Sequence, residues 1–134
     1  MDTTTKILLV DDDDDLREIV RAEVITLKGF HVAEAQDCGT ALRLLQTESF
    51  DLVLLDITLP DNSGLEVLRF ITRKHLRTKV IMVTGTVGLE NAIKSTTLGA
   101  QDYITKPFTI NYLLRSIDHV LSIEHTREGL SHTG

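Results

Sequence analysis

FDLVLLDITLPDNSG, residues 50–64, is the stretch on which the reading of the whole chain turns. Leu52 to Leu55 form an apolar run without polar alternation, the pattern of a strand buried on both faces in a parallel sheet covered by helices. The run stops at Asp56, and Pro60, Asn62 and Gly64 mark a turn before the next element. In open α/β sheets ligands gather in the crevice beyond the carboxyl ends of the strands, so a carboxylate there is rigidly held yet reachable from solvent. An Asp in this position also suits a plain loop start that caps the next helix, and only the other strand ends can separate the two roles.

Outward from that strand, apolar runs and helical periodicities alternate strictly. Lys6 to Val10 is a first strand, followed directly by the five aspartates Asp11 to Asp15. Leu16, Ile19, Val20, Val24 and Leu27 then recur at helical spacing up to the stop at Gly29. Asp14 and Asp15 are expected to cap this helix, with Asp13 solvated. Phe30 to Ala35 reads as a weaker strand and Cys38 to Glu48 as a helix with Ala41, Leu42, Leu44 and Leu45 inward. After Asp56, Leu65, Leu68 and Ile71 mark a third helix, Lys79 to Thr84 a fourth strand and Leu89 to Leu98 a fourth helix. The Ser95, Thr96, Thr97 run gives that helix poor propensity, and Gly99 ends it. Asp102 to Thr105 is a brief fifth strand. In the last helix Ile110, Leu113, Leu114, Ile117, Val120 and Leu121 make one apolar stripe, with Tyr112, Arg115, Ser116 and His119 off it. Five βα units with right-handed crossovers give a doubly wound five-stranded parallel sheet flanked by five helices. Residues 1–122 are expected to form one domain, and 123–134 a polar tail or the start of a linker.

Composition narrows the function. A chain of 134 residues can bury a core without covalent staples. The single cysteine, Cys38, excludes an intramolecular disulfide framework. His31, His75, His119, His125 and His132 are scattered without ligand spacing. A net charge of −6 argues against direct nucleic-acid binding, which needs a basic patch, and favours protein partners. Neither a signal peptide nor a membrane-spanning run is seen, and a cytoplasmic location is expected.

The ends of strands one, three, four and five carry Asp11 and Asp12, Asp56, Thr84 and Lys106. Separately each has an ordinary explanation: a helix cap, a β-prone threonine, a surface lysine before Pro107. Brought to one crevice, three carboxylates repel one another unless a cation neutralises them, and a hard divalent ion with oxygen ligands does so. Mg²⁺ suits the site because it takes one or two carboxylates and leaves room for phosphate oxygens. Lys106 and the Thr84 hydroxyl complement an anion arriving on Asp56, and an Asp nucleophile that accepts a phosphoryl group becomes an acyl phosphate.

With LLVDD (8–12), LLDITLPDNSG (54–64), VTG (83–85) and YITKPF (103–108) in place, residues 6–122 resemble the receiver domain of bacterial two-component response regulators, similar to the single-domain chemotaxis regulator. The resemblance implies a flavodoxin-like fold with strand order 2-1-3-4-5 and Asp56 as phosphoacceptor. It implies that Asp11, Asp12, Asp56 and the Thr58 backbone carbonyl hold Mg²⁺, and that Thr84 and Lys106 meet the phosphate. Tyr103 becomes the aromatic partner of Thr84 in a switch, Thr84 swinging toward the phosphoryl oxygens and Tyr103 entering the space it leaves. The Lys106–Pro107 bond is expected to be cis. Partners implied are a sensor histidine kinase or phosphotransfer protein, and a second copy of the chain through helix 4, strand 5 and helix 5, presenting Glu90, Lys94, Tyr103, Tyr112 and His119. VGLENAIK (87–94) resembles receivers attached to activators of the nitrogen-regulation type, and a free-standing regulator fits equally. The chain is then no enzyme beyond its own phosphorylation and dephosphorylation. A phosphoaspartyl hydrolase of the haloacid dehalogenase type is the competing reading, but Thr58 stands where it needs an acid; a non-phosphorylated scaffold of the same fold is another. A nucleotide module is disfavoured because no GxGxxG follows the first strand.

Overall fold

A computed structural model of the chain describes residues 4–86 and 88–123. Strands β1 (Lys6–Val10), β2 (His31–Ala35), β3 (Leu52–Leu55), β4 (Lys79–Thr84) and β5 (Asp102–Thr105) alternate with helices α1 (Asp14–Lys28), α2 (Cys38–Thr47), α3 (Leu65–Arg73), α4 (Leu89–Thr97) and α5 (Ile110–Ser122). All strand pairs are parallel and the order is β2-β1-β3-β4-β5, as expected. Edges of three elements differ by one residue: β2 begins at His31, α2 stops at Thr47 with Glu48 as its cap, and α4 stops at Thr97. From residue 124 onward the expected polar tail lies outside the described residues.

The alternation of side chains along each strand divides the core between the two faces of the sheet. Leu8, Val10, Val53, Leu55, Val80 and Met82 pack on one face with Ala41 and Leu45 of α2 and Val67, Leu68 and Ile71 of α3. Ile7, Leu9, Leu52, Leu54, Ile81 and Val83 pack on the other with Val20 and Val24 of α1 and Leu113, Ile117 and Val120 of α5. Because β1 and β3 are covered on both sides, they read as unbroken apolar runs.

Two local expectations are corrected, the cap of α1 and the place of Ser116. Asp13, not Asp14 or Asp15, caps α1: its backbone is extended and its carboxylate accepts from Leu16 N at 3.1 Å, the geometry a cap needs. Asp14 and Asp15 follow in the first turn, where negative charge suits the helix dipole. In α1 only Val20 and Val24 are buried, while Ile19 and Leu27 are exposed, because the helix turns one i, i+4 stripe toward the sheet. Ser116 does not lie off the apolar stripe of α5; it is buried and donates its hydroxyl to the Asp102 carboxylate at the start of β5.

Parallel register brings the strand ends level, Val10 opposite both Ala35 and Leu55, and Leu55 opposite Met82. The loop leaving β3 folds back at once, with Gly64 N donating to Ile57 O at 2.7 Å and Thr58 bridging Ser63. A Cβ at Gly64 would overlap the Asp56 carbonyl oxygen and lie 2.9 Å from its carbon. Gly64→Ala should therefore destabilise the chain by about 1–3 kcal/mol or more, since backbone must move. Gly85→Ala, where a Cβ meets nothing within 4 Å, should change little. Equal denaturation midpoints for the two variants would show that the loop relaxes without cost.

Candidate phosphoacceptor site

Every residue expected at the strand ends arrives in one crevice. Asp56 is 5 % exposed and Asp11 2 %, while Asp12 faces solvent. Their carboxylate oxygens lie within 4.8 Å of one another. Asp56 Oδ1 accepts from the Thr84 hydroxyl at 2.6 Å and from Thr58 N at 3.0 Å, and its Oδ2 accepts from Lys106 Nζ at 2.9 Å. Lys106 Nζ also donates to Asp11 Oδ2 at 2.7 Å, and Asp11 Oδ1 accepts from Asp13 N at 2.9 Å. The Lys106–Pro107 bond is cis, as expected.

The charges do not balance. Three carboxylates face one ammonium, and burial, together with the Asp56 charge, holds the Asp11 carboxyl above its usual range despite the Lys106 and Asp13 bonds. Burial alone would lower the Lys106 pKa, but its bonds and attraction to Asp11 and Asp56 raise it, so this lysine stays protonated. A divalent cation on Asp11, Asp12 and Asp56 would remove the remaining repulsion, and an all-oxygen donor set suits Mg²⁺.

Thr84 and Tyr103 are joined through Thr86. Thr84 already points at Asp56, and the Tyr103 hydroxyl donates to the Thr86 carbonyl at 2.6 Å. Burial first and the Asp56 charge second raise the Tyr103 pKa. Thr86 closes a circuit around the acceptor: its N–H donates to Thr84 Oγ1 at 3.2 Å, and its hydroxyl bonds that of Thr58 at 2.7 Å. Of the expected partner face, Glu90, Lys94, Tyr112 and His119 are exposed and Tyr103 is half-buried.

The residue 7–118 stretch matches the family described as the response regulator receiver domain. The chain belongs to that family. The receiver domain spans nearly all the described residues, so the fold and the four strand-end motifs have a shared source. The chain is 38 % identical over 123 residues to the transcriptional regulatory protein CpxR of Escherichia coli, covering 92 % of this chain and 52 % of that protein. It is 35 % identical over 120 residues to the response regulator protein PilR of Pseudomonas aeruginosa, covering 90 % and 27 %. It thus spans about half or less of the length of these curated relatives. Among solved structures, a CheY-like response regulator receiver domain from Methanospirillum hungatei superposes with a TM-score of 0.81 at 36 % identity, covering 89 % of this chain and 94 % of that one. The non-phosphorylated HemR receiver domain of Leptospira biflexa superposes at 0.85 with 30 % identity, covering 91 % and 98 %.

Two residues at the rim were not singled out by sequence reasoning. Asp61 accepts from Cys38 N and Gly39 N, both at 2.9 Å, so the loop after Asp56 caps the first turn of α2, and those bonds hold its carboxyl below the usual range. Arg17 donates to the Asp11 carbonyl at 2.6 Å. Asp61 lies inside the strand-end motif but meets Cys38 and Gly39, distant from it in sequence, and Arg17 stands one turn into α1; the acidic residue inside the Pro60–Gly64 turn and that arginine were the only signals. Cys38 completes the contact with the loop, its thiol directed at the carbonyls of Ser63 and Asn62 at 3.3 and 3.5 Å. Burial, reinforced by Asp61, pushes that thiol up to about 12. The raised value means that the fold favours the neutral thiol: this contribution is full below the unfolded thiol's ordinary pKa and is lost as pH rises toward about 12. Iodoacetamide at mildly alkaline pH should label the native chain far more slowly than the urea-unfolded chain; equal rates would contradict the buried, neutral thiol.

Proposed function

We propose that the chain accepts a phosphoryl group on Asp56 from a phosphohistidine of a sensor kinase or phosphotransfer protein and passes the change to its α4–β5–α5 face. The observation that supports this best is the distribution of partners on Asp56: Thr84 hydroxyl on one carboxylate oxygen, Lys106 ammonium on the other, and two further acids within 4.8 Å. An Asp56 oxygen attacks phosphorus, the phosphorus–nitrogen bond breaks as the oxygen–phosphorus bond forms, and the imidazole leaves with the bonding pair. Lys106 and Thr84 hold charge on the transferring oxygens. Asp11, Asp12, Asp56 and the Thr58 carbonyl would hold Mg²⁺, which when bound neutralises charge on the phosphoryl group. The role is that of a signalling domain working in the cytoplasm, with catalysis confined to its own phosphorylation and dephosphorylation. Convergence of intact acids, threonine and lysine argues against a non-phosphorylated scaffold.

The switch is a population shift: a phosphoryl group on Asp56 favours the arrangement in which Thr84 faces it and Tyr103 lies inward. Association through α4, β5 and α5, with a second copy or an effector, then depends on how much of the population is held there. Nucleic-acid contact is not assigned to this domain.

Acetyl phosphate with Mg²⁺ should modify the chain once, and Asp56→Asn should abolish the modification; equal intact-mass shifts for the variant, or undiminished labelling in EDTA, would refute the assignment. The phosphoryl group should also persist. Water must approach past Thr58 and Thr86, whose hydroxyls bond each other and offer no carboxylate or carboxamide to position it. Thr58→Asn combined with Thr86→Glu should hasten decay, and an unchanged loss rate would remove these positions as the control point.

A further inference from the structure

We propose that Arg17 is a positioning residue for the acid cluster, aiming Asp12 at the cation through the Asp11–Asp12 peptide. The inference rests on the phosphoacceptor reading of the site, and its own observation is the arrangement of one guanidinium among three elements. Arg17 is 12 % exposed, and each of its three nitrogens has a different partner. Nη1 donates to the Asp11 carbonyl at 2.6 Å, where β1 ends. Nε donates to Glu34 Oε1 of β2 at 3.1 Å, and Nη2 to Asp14 Oδ1 in the first turn of α1 at 2.5 Å. Arg21 Nε takes the other Glu34 oxygen at 3.1 Å, which fixes the carboxylate that fixes Arg17. A planar fork that meets its acceptors on several sides loses little further freedom, and a lysine cannot reproduce it.

Asp11 is held at every polar atom. Its N–H donates to Ala35 O at 3.0 Å, its carboxylate oxygens are taken by Asp13 N and Lys106, and its carbonyl is taken by Arg17. Asp12 is the contrast. Its side chain is exposed, and among the described residues no hydrogen bond or ion pair holds it. What aims Asp12 is therefore the plane of the peptide that precedes it, and the oxygen of that peptide is the one Arg17 grips. The restraint acts from outside the crevice, leaving the Asp12 carboxylate available to a cation.

Charge and geometry predict opposite outcomes here. A guanidinium beside three carboxylates repels an incoming dication, so if its charge were what mattered, removing it would tighten Mg²⁺ binding. If it positions Asp12, removing it weakens binding, and partners lying behind the ligands of metal sites typically change affinity by about 10- to 100-fold.

The test is a Mg²⁺ titration of the isotopically labelled chain followed by amide NMR shifts, comparing the unaltered protein with Arg17→Ala and Arg17→Lys at a temperature where circular dichroism shows each variant folded. Both variants should bind Mg²⁺ about 10-fold or more weakly, with the amides of Asp12 and Asp13 shifted even before Mg²⁺ is added. Should Arg17→Ala fail to fold, Arg17→Lys decides, since it keeps the charge and loses the fork. Affinity equal to or tighter than that of the unaltered chain, in a folded variant, overturns the positioning role. Failure of the unaltered chain to bind Mg²⁺ overturns instead the reading of the site on which the role rests, and the role with it.

Discussion

Lys106 touching both Asp11 and Asp56 is the contact on which the site depends. Two buried carboxylates 2.7 and 2.9 Å from one ammonium form a bridge between the ends of β1, β3 and β5. Burying charge is costly unless it is paired, and removal of one partner from such a group typically costs about 3–5 kcal/mol. Lys106 offsets part of the cost but not all of it. Its raised pKa means that the stability it contributes is complete below the ordinary lysine value and fades only as pH climbs through the raised one. Asp11 shows the remainder: a carboxyl whose folded pKa is raised favours the fold when protonated, and that contribution is lost as pH rises through the raised value. The acids are thus crowded together by the packing of the sheet, a condition that a cation among them would relieve.

What holds it is the register. With β1, β3 and β4 nearly or wholly buried, a slip of one residue would turn every apolar side chain to the opposite face and exchange the two core clusters. Position in the crevice is therefore as firmly specified as the core itself. The loops add their own restraints where the sheet ends: Asp13 N on Asp11, Thr58 N on Asp56, Gly64 folded under the Asp56 carbonyl, Asp61 on the start of α2. The first two tie a carboxylate of the cluster to a backbone N–H, and the last two hold the loop after β3 in place.

The strands and the strand-end acids were legible because period and position are local: LVLL followed by Asp56 states both the burial of β3 and the place of the carboxylate. The order of the strands and the roles at the site came from the resemblance, which the family match supports. What sequence reading missed are contacts made between distant segments. Within the aspartate run, Asp13, Asp14 and Asp15 offer identical chemistry, and the cap was decided by which backbone is extended after Asp11 has bound Asp13 N. Ser116 reads as a polar position on the helix edge until Asp102, brought in by β5, gives its hydroxyl a half-buried partner. Arg17 and Glu34 belong to different elements, and nothing in either local pattern announces that they meet.

Helix α4 combines two features that oppose burial. Ser95 is fully buried, and its hydroxyl has no hydrogen-bond partner among the described residues, while Leu89 and Ile93 are 76 % and 56 % exposed. A polar atom inside and large apolar side chains outside mean that maximal burial does not set this helix's position. An unsatisfied buried hydroxyl costs about 1–3 kcal/mol, and coupling between sites in switching proteins has a similar size, about 1–3 kcal/mol. The same helix is tied to α3 at its end, where the Thr72 hydroxyl donates to the Leu98 carbonyl at 2.6 Å. An element so poorly satisfied where it lies belongs to the low-stability end of the fold, held less firmly than the helices that bury a full apolar stripe.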